Sequence, residues 1–232
     1  MSSRMLFFDT ETTGFSAKAG HKIIEIGVVE VIDGRFTGNE FHVYLDPQRA
    51  IDERAEQVHG ISLDMLQGKP LFRDVAQQFL DFVEGSDLVA HNMGFDEGHI
   101  DNELALAGFN VKLADVAANL IDSMDLAKEL FPGQKLNLDA LCDKLHIDRH
   151  HRTSHGAIVD CKLLAQVTMA MLEQKAIIEQ VANNRGIAAP SVSITEYATV
   201  RFVAPDQKQL EHAEFLKRIG REPAEAAPGM KM

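Results

Sequence analysis

Hydrophobic and polar positions along this chain follow two periods. Met5-Leu6-Phe7-Phe8 is a continuous apolar run and reads as a buried strand. Lys22–Ile32 reads as a second strand, with Ile24, Ile26 and Val28 on one face and Ile23, Glu25, Gly27, Val29 and Val31 on the other. Asp33-Gly34 is a two-residue hairpin signal, and Arg35–Leu45 is the returning strand, ended by Asp46-Pro47. Arg49–Gly60 is polar and irregular. Ser62 stands where a cap would start a short helix over Leu63–Leu66. Phe72, Val75, Ala76, Phe79 and Val83 then show helical spacing up to a stop at Gly85, and Asp87–Ala90 reads as a short inner strand. Further helices are expected from about Phe95 to Ala107, after Asp122-Ser123, over Leu138–Leu145 behind Asn137, and over His155–Gln174. In the last of these Leu163, Leu164, Val167 and Met171 form a stripe. Val116–Ile121 fits either a strand or a short helix. Strands first, then strands alternating with helices, predict an α/β fold: a mixed sheet with antiparallel first three strands, flanked by helices.

The pattern changes near residue 175. Residues 1–175 form one predicted domain. Residues 176–197 read as a linker, in which Ala176–Arg185 either extends the preceding helix or forms another and Gly186–Ser193 is linker-like. In 198–232, Ala198–Val203 reads as a strand and Asp206–Ile219 as a helix, too little to bury a core alone. The expectation is a tail that docks on a partner, with Glu222–Met232 disordered.

Composition narrows the class. A 45% hydrophobic content in 232 residues supports a sizeable core. Cys142 and Cys161 lack metal or redox spacing and read as buried thiols in a reducing compartment. The N-terminal residues lack a signal peptide's apolar stretch and no run is long enough to cross a bilayer, so the expectation is a cytoplasmic protein without a membrane partner. The net charge is −12. Residues 176–232 hold seven basic and seven acidic residues, so the excess belongs to 1–175. This argues against a protein that coats DNA through many phosphate contacts. It leaves open an enzyme that meets a few phosphates through bound metal.

The candidate chemistry starts at Phe8-Asp9-Thr10-Glu11-Thr12-Thr13-Gly14. Residues i and i+2 of an extended chain share a face, so Asp9 and Glu11 repel unless a cation with oxygen ligands neutralises them. A lone Asp-x-Glu is more often two solvated acids, but further acids follow. Asp96 stands at a helix start in His91-Asn-Met-Gly-Phe-Asp96, where the helix dipole alone would favour it. Asp160 lies on the apolar side of its helix, where a carboxylate needs a partner or a metal. His155 and Asp160, five residues apart, would point about 140° apart on one continuous helix. His155 is therefore expected on the loop or first turn, aimed at a point it shares with Asp160.

Together, these three motifs resemble those of the DEDD superfamily of 3′–5′ exonucleases, in the branch with a histidine five residues before the last acid. The stretches His21–Gly27, Phe41–Leu45, Val58-His59-Gly60 and Ser123–Cys142 are similar to the epsilon proofreading subunits of bacterial DNA polymerase III. That likeness covers about 5–175 and extends more loosely to Val200–Asp206 and the helix after it. It implies a ribonuclease-H-like sheet. It also implies two Mg²⁺ or Mn²⁺ ions held by Asp9, Glu11, Asp96 and Asp160, roughly 3.5–4 Å apart, and His155 as general base. Substrate contacts would come from Asp9, Glu11, Thr12, His59 and Asp160. The implied activity removes mismatched 3′-terminal nucleotides as 5′-monophosphates from single-stranded or frayed DNA ends. The implied partners are the polymerase alpha subunit, through the tail, and a small theta-like subunit. Residues 172–190 carry no convincing glutamine-led motif for a sliding clamp, which leaves that contact unsupported. Upstream of His59 the family often has an acid near the substrate; Arg54 or Glu56 occupies that neighbourhood here, and the role is not carried over. His59 reads as a substrate contact, Phe95 as core packing, and His91 as evenly divided between orienting the site and packing beneath it. Arg149-His-His-Arg152 reads equally as a phosphate contact or a solvated basic loop. Two alternatives remain: an exoribonuclease of the same branch, and a non-catalytic polymerase scaffold.

Overall fold

The computed structural model describes residues 4–150 and 155–184. Its frame is a five-stranded sheet in the order β3-β2-β1-β4-β5. The strands are β1 (Arg4–Thr12), β2 (Ile23–Ile32), β3 (Arg35–Tyr44), β4 (Asp87–Ala90) and β5 (Asn119–Asp122). β1, β2 and β3 pair antiparallel, whereas β4 and β5 run parallel to β1. The expected mixed sheet is thus present, with β1 at its centre. The hairpin between β2 and β3 turns at Asp33 and Gly34, both with positive φ, the conformation that an Asp-Gly turn supplies.

Helices cover both faces. Leu6 and Phe8 of β1 point toward α2 (Phe72–Val83) and α3 (Met93–Leu106), while Met5 and Phe7 point toward α5 (Ser123–Leu130), α6 (Leu138–Lys144) and α7 (Ala157–Asn184). Because successive residues alternate faces, Asp9 and Glu11 continue the Met5/Phe7 face toward α7, and Thr10 continues the other toward α3. α5 and α6 start as expected: Asp122 accepts from the Met124 N–H and Asn137 from the Ala140 N–H. The short helix expected over Leu63–Leu66 is present as a 3₁₀ helix, although Ser62 before it makes no side-chain cap bond.

Four details depart from the sequence pattern or decide between its alternatives. Residues 53–59 form α1 (Glu53–His59), not an irregular loop. Two acids in its first turn favour a helix, but its Val58 faces solvent and there is no apolar stripe to betray it. The 116–121 stretch holds the end of α4 (Leu113–Val116) and then β5. A bulge in the β1–β2 pairing matches Glu11 with Glu25 but Thr12 with Ile23. It puts Ile23, not Ile24, beside Ile26 and Val28, and Ile24 packs separately on Ile61 and Leu66. Finally, α7 runs unbroken through residue 175 to Asn184. The strand and helix expected over 198–219, and the docking tail they form, lie outside the described residues. Among the described residues, no helix is long and apolar enough to cross a membrane.

Candidate active site

Three elements bring the acids together. β1 supplies Asp9 and Glu11, the first turns of α3 supply Asp96, and the first turn of α7 supplies Asp160. Glu11, Asp96 and Asp160 are buried. Thr10, between the two β1 acids, donates its backbone N–H and its hydroxyl to the same Asp96 oxygen, at 3.0 and 2.7 Å. Asp96 is therefore held from across the sheet, beyond what its place near a helix N-terminus provides. Asp160 approaches β1 because α7 packs on bare backbone: a Cβ on Gly27 would lie 2.6 Å from the Ala157 carbonyl carbon. His155 stands just before α7, and its Nδ1 is 3.1 Å from Asp160 Oδ2.

The electrostatics are unfavourable without a cation. Burial, then the charges of Asp96, Glu11 and Asp160, push the Asp9 carboxyl well above the usual carboxylate range. Burial pushes Asp96 to about 7, although the Thr10 bonds pull it down. Glu11, His155 and Asp160 each offer a ligand atom, all within 4.8 Å of one another. Buried, mutually repelling carboxyl groups with hard oxygen donors fit a divalent cation such as Mg²⁺ or Mn²⁺.

A cleft of about 560 Å³ opens beside these acids, lined by Glu11, Thr12, Phe15, Arg54, His59 and Phe95 among others. Thr12 is buried, its hydroxyl donating to the Gly14 carbonyl. His59 ends α1 and is buried. Its Nδ1 accepts from the Ile61 N–H, and its Nε2 has no hydrogen-bond partner. Burial holds its pKa below the ordinary value. Phe95, expected in the core, is half-buried in the cleft wall between Phe15 and His99, at centroid distances of 5.8 and 4.5 Å. The His91 ring bridges the Ser123 hydroxyl and the Leu136 carbonyl. Arg149 is engaged by Asp143 and Asp139 of α6, and Arg152 lies outside the described residues.

Sequence reasoning passed over Phe15 and Glu25. Phe15 is 84% exposed at the cleft rim, and its signal was an aromatic residue in an otherwise small and polar loop. Glu25 is buried opposite Glu11, and its signal was a charge on an apolar strand face.

Residues 6–168 match the family model described as exonuclease, which covers more than half the chain. The chain belongs to this exonuclease family. Among its relatives are epsilon subunits of DNA polymerase III. That of Salmonella typhimurium LT2 is 47% identical over 173 residues, covering 73% of this chain and 71% of the relative. That of Pasteurella multocida Pm70 is 41% identical over 214 residues, covering 90% and 83%. Exonuclease X, solved in complex with 5′ overhanging duplex DNA, aligns with a TM-score of 0.50 at 26% identity over 80% of this chain and 95% of its own. A 3′-exonuclease solved for its recognition of the histone mRNA stem-loop has a TM-score of 0.63 at 18% identity, over 74% and 82%, and shares the ribonuclease-H-like fold.

Proposed function

We propose that this chain is the proofreading 3′–5′ exonuclease of a DNA polymerase III, removing mismatched 3′-terminal nucleotides as 5′-monophosphates. The convergence of Asp9, Glu11, Asp96 and Asp160 from three separate elements carries the proposal. These four acids hold two divalent cations, and His155 acts as general base. Bound there, the cations supply Lewis-acid stabilisation of the charge that develops on the phosphoryl and leaving oxygens. His155 takes a proton from the attacking water as its oxygen bonds to phosphorus and the bond to the 3′ oxygen breaks. Thr12 and His59 line the space for the terminal nucleotide. A cleft that takes single-stranded ends favours mismatches because they cost less to unpair.

In this reading, residues 1–175 are the nuclease domain, and residues 198–232 carry it to the polymerase alpha subunit in the cytoplasm. A small theta-like subunit is a further partner, and a sliding-clamp contact is not part of the proposal. The test is hydrolysis of 5′-labelled single-stranded DNA and of matched RNA with Mg²⁺, Mn²⁺ or EDTA, beside Asp9→Ala. Stepwise shortening of DNA from the 3′ end, abolished by EDTA and by the substitution, is expected. Preferential shortening of RNA would assign the chain to the exoribonucleases instead, and cleavage of neither substrate by the chain with or without its polymerase would leave a scaffold.

A further inference from the structure

Glu25 sits on β2 directly opposite Glu11, so it shares the sheet face of Asp9 and Glu11. It is 2% exposed, and a carboxyl group so buried beside other acids needs partners. One oxygen is 2.7 Å from His42 Nε2, and the other accepts the Ala157 N–H at 3.1 Å. His42 and Tyr44 come from β3, where Tyr44 pairs with Glu25 in register and His42 pairs with Gly27. Their rings meet edge to face at 5.1 Å. Burial and the adjoining Glu25 push the Tyr44 hydroxyl up to about 12.

Ala157 is the first residue of α7, and its N–H is among those a helix start leaves without an intrahelical acceptor. The residue before it, Gly156, has no side chain to cap it. The acceptor comes from a strand 132 residues earlier. Next to it, Gly27 lets the first turn of α7 lie on the sheet. This hydrogen bond and the bare stretch of backbone act with two further contacts at the start of α7, the His155 N–H to the Val58 carbonyl at 3.4 Å and the Cys161 thiol to the Gly27 carbonyl at 3.1 Å. Asp160 lies three residues beyond that point and His155 two residues before it.

We propose that Glu25 is a positioning residue: anchored by His42, it holds the Ala157 N–H and so sets Asp160 and His155 against Asp9 and Glu11. The inference rests on the nuclease reading of the cleft. His42 steadies Glu25 from the solvent side, where its side chain is 38% exposed. Asp160 is fixed by this contact before any cation arrives, so the effect is present in the metal-free chain.

The experiment compares full-length Glu25→Ala, Glu25→Gln and His42→Ala with the wild type. It measures hydrogen exchange of the 155–162 segment without metal, Mn²⁺ binding by electron paramagnetic resonance, and kcat and KM on single-stranded DNA. In Glu25→Ala, exchange at the start of α7 and the Mn²⁺ midpoint should both rise about tenfold, the worth of one hydrogen bond, with kcat falling and KM unchanged. Glu25→Gln keeps a carbonyl oxygen for Ala157 and should stay within about threefold of wild type on both measures. His42→Ala, at a half-exposed site, should fold and shift both in the same direction by less, which keeps the test available if Glu25→Ala does not fold. Wild-type exchange and Mn²⁺ midpoints in Glu25→Ala and His42→Ala would overturn the proposal. So would a Glu25→Gln variant that loses Mn²⁺ binding while α7 exchanges normally, because charge and not the grip on α7 would then be what matters. A wild-type chain that binds Mn²⁺ but cleaves no nucleic acid would defeat the nuclease reading and leave the exchange result standing.

Discussion

Thr10 donates twice to one oxygen of Asp96, through its N–H at 3.0 Å and its hydroxyl at 2.7 Å. The residue between the two β1 acids thereby holds the third acid from the opposite face of the sheet. Hydrogen bonds to a charged acceptor contribute about 1.5–3 kcal/mol, and these favour the ionised form of Asp96 against its burial. Thr10→Val keeps the N–H and the shape but removes the hydroxyl. Asp96 should then hold its proton to higher pH than about 7. The variant is expected to need about tenfold more Mn²⁺ for half-maximal rate at pH 7 and to recover most of the deficit at pH 8.5. A rate profile that does not move with pH would show that the hydroxyl does not tune Asp96.

Metal removal should expose the repulsion among the acids. Asp9 and Asp96 both have folded-state values above their ordinary ones. A raised carboxyl stabilises the fold fully below its unfolded value and loses that contribution as pH rises through the folded value. For Asp96 the window runs from 3.8 to about 7. In EDTA the melting temperature should fall across that window, and Mn²⁺ should raise it more at pH 8 than at pH 5. Asp9→Asn should raise the EDTA melting temperature, by about 2–4 °C if one repelling charge costs about 1 kcal/mol, and should abolish most of the metal-induced rise. Scanning calorimetry with and without Mn²⁺ at the two pH values measures both effects.

The frame of the site was legible because its motifs are local. Asp9 and Glu11 share a face by strand geometry alone, and Asp160 could be flagged because Leu163, Leu164 and Val167 mark its side of α7 as buried. What escaped depends on distant partners or on missing side chains. Glu25 looks like one charge in an apolar strand until Ala157, 132 residues away, is brought against it. α1 escaped because its Val58 is exposed, so no apolar stripe announces it. The bulge opposite Glu11 and Thr12 shifts Ile23 and Ile24 relative to a strict alternation, and nothing in the local pattern signals it. Phe95 has the side chain of a core residue, since Phe is among the residues most often buried, yet the cleft gives it a wall to line.

Gly27 makes a sharp prediction about packing. A methyl group there would meet the Ala157 carbonyl carbon at 2.6 Å and the Ile158 nitrogen at 2.7 Å. Both are backbone atoms, so no side-chain rotation relieves the clash, and α7 must move off the sheet. Gly27→Ala should cost about 1–3 kcal/mol of stability and reduce nuclease rate by far more than the loss of folded protein explains, because Asp160 and His155 move with the helix. Activity corrected for the folded fraction by circular dichroism separates the two contributions. A rate that simply follows the folded fraction would mean that the start of α7 tolerates displacement.

His155 and Asp160 lie 3.1 Å apart, and with Glu11 they present ligand atoms within 4.8 Å of one another. This grouping admits two roles for His155, as the base that takes the water's proton or as a third ligand, and substitution separates them. As a base, its loss should cost about 10²–10⁴-fold in kcat while leaving the Mn²⁺ midpoint near wild type, since the four acids remain. As a ligand, its loss should shift the Mn²⁺ midpoint as far as Asp160→Ala does. The expected result is the first: His155→Ala binds Mn²⁺ normally and is slow, whereas Asp160→Ala is deficient in both and is the slower of the two. Both variants should melt within a few degrees of wild type at saturating Mn²⁺ for His155→Ala and in EDTA for Asp160→Ala, where removal of a buried acid relieves its repulsion of Asp9. Equal, severe destabilisation of the two would instead assign the pair to holding α7 in place.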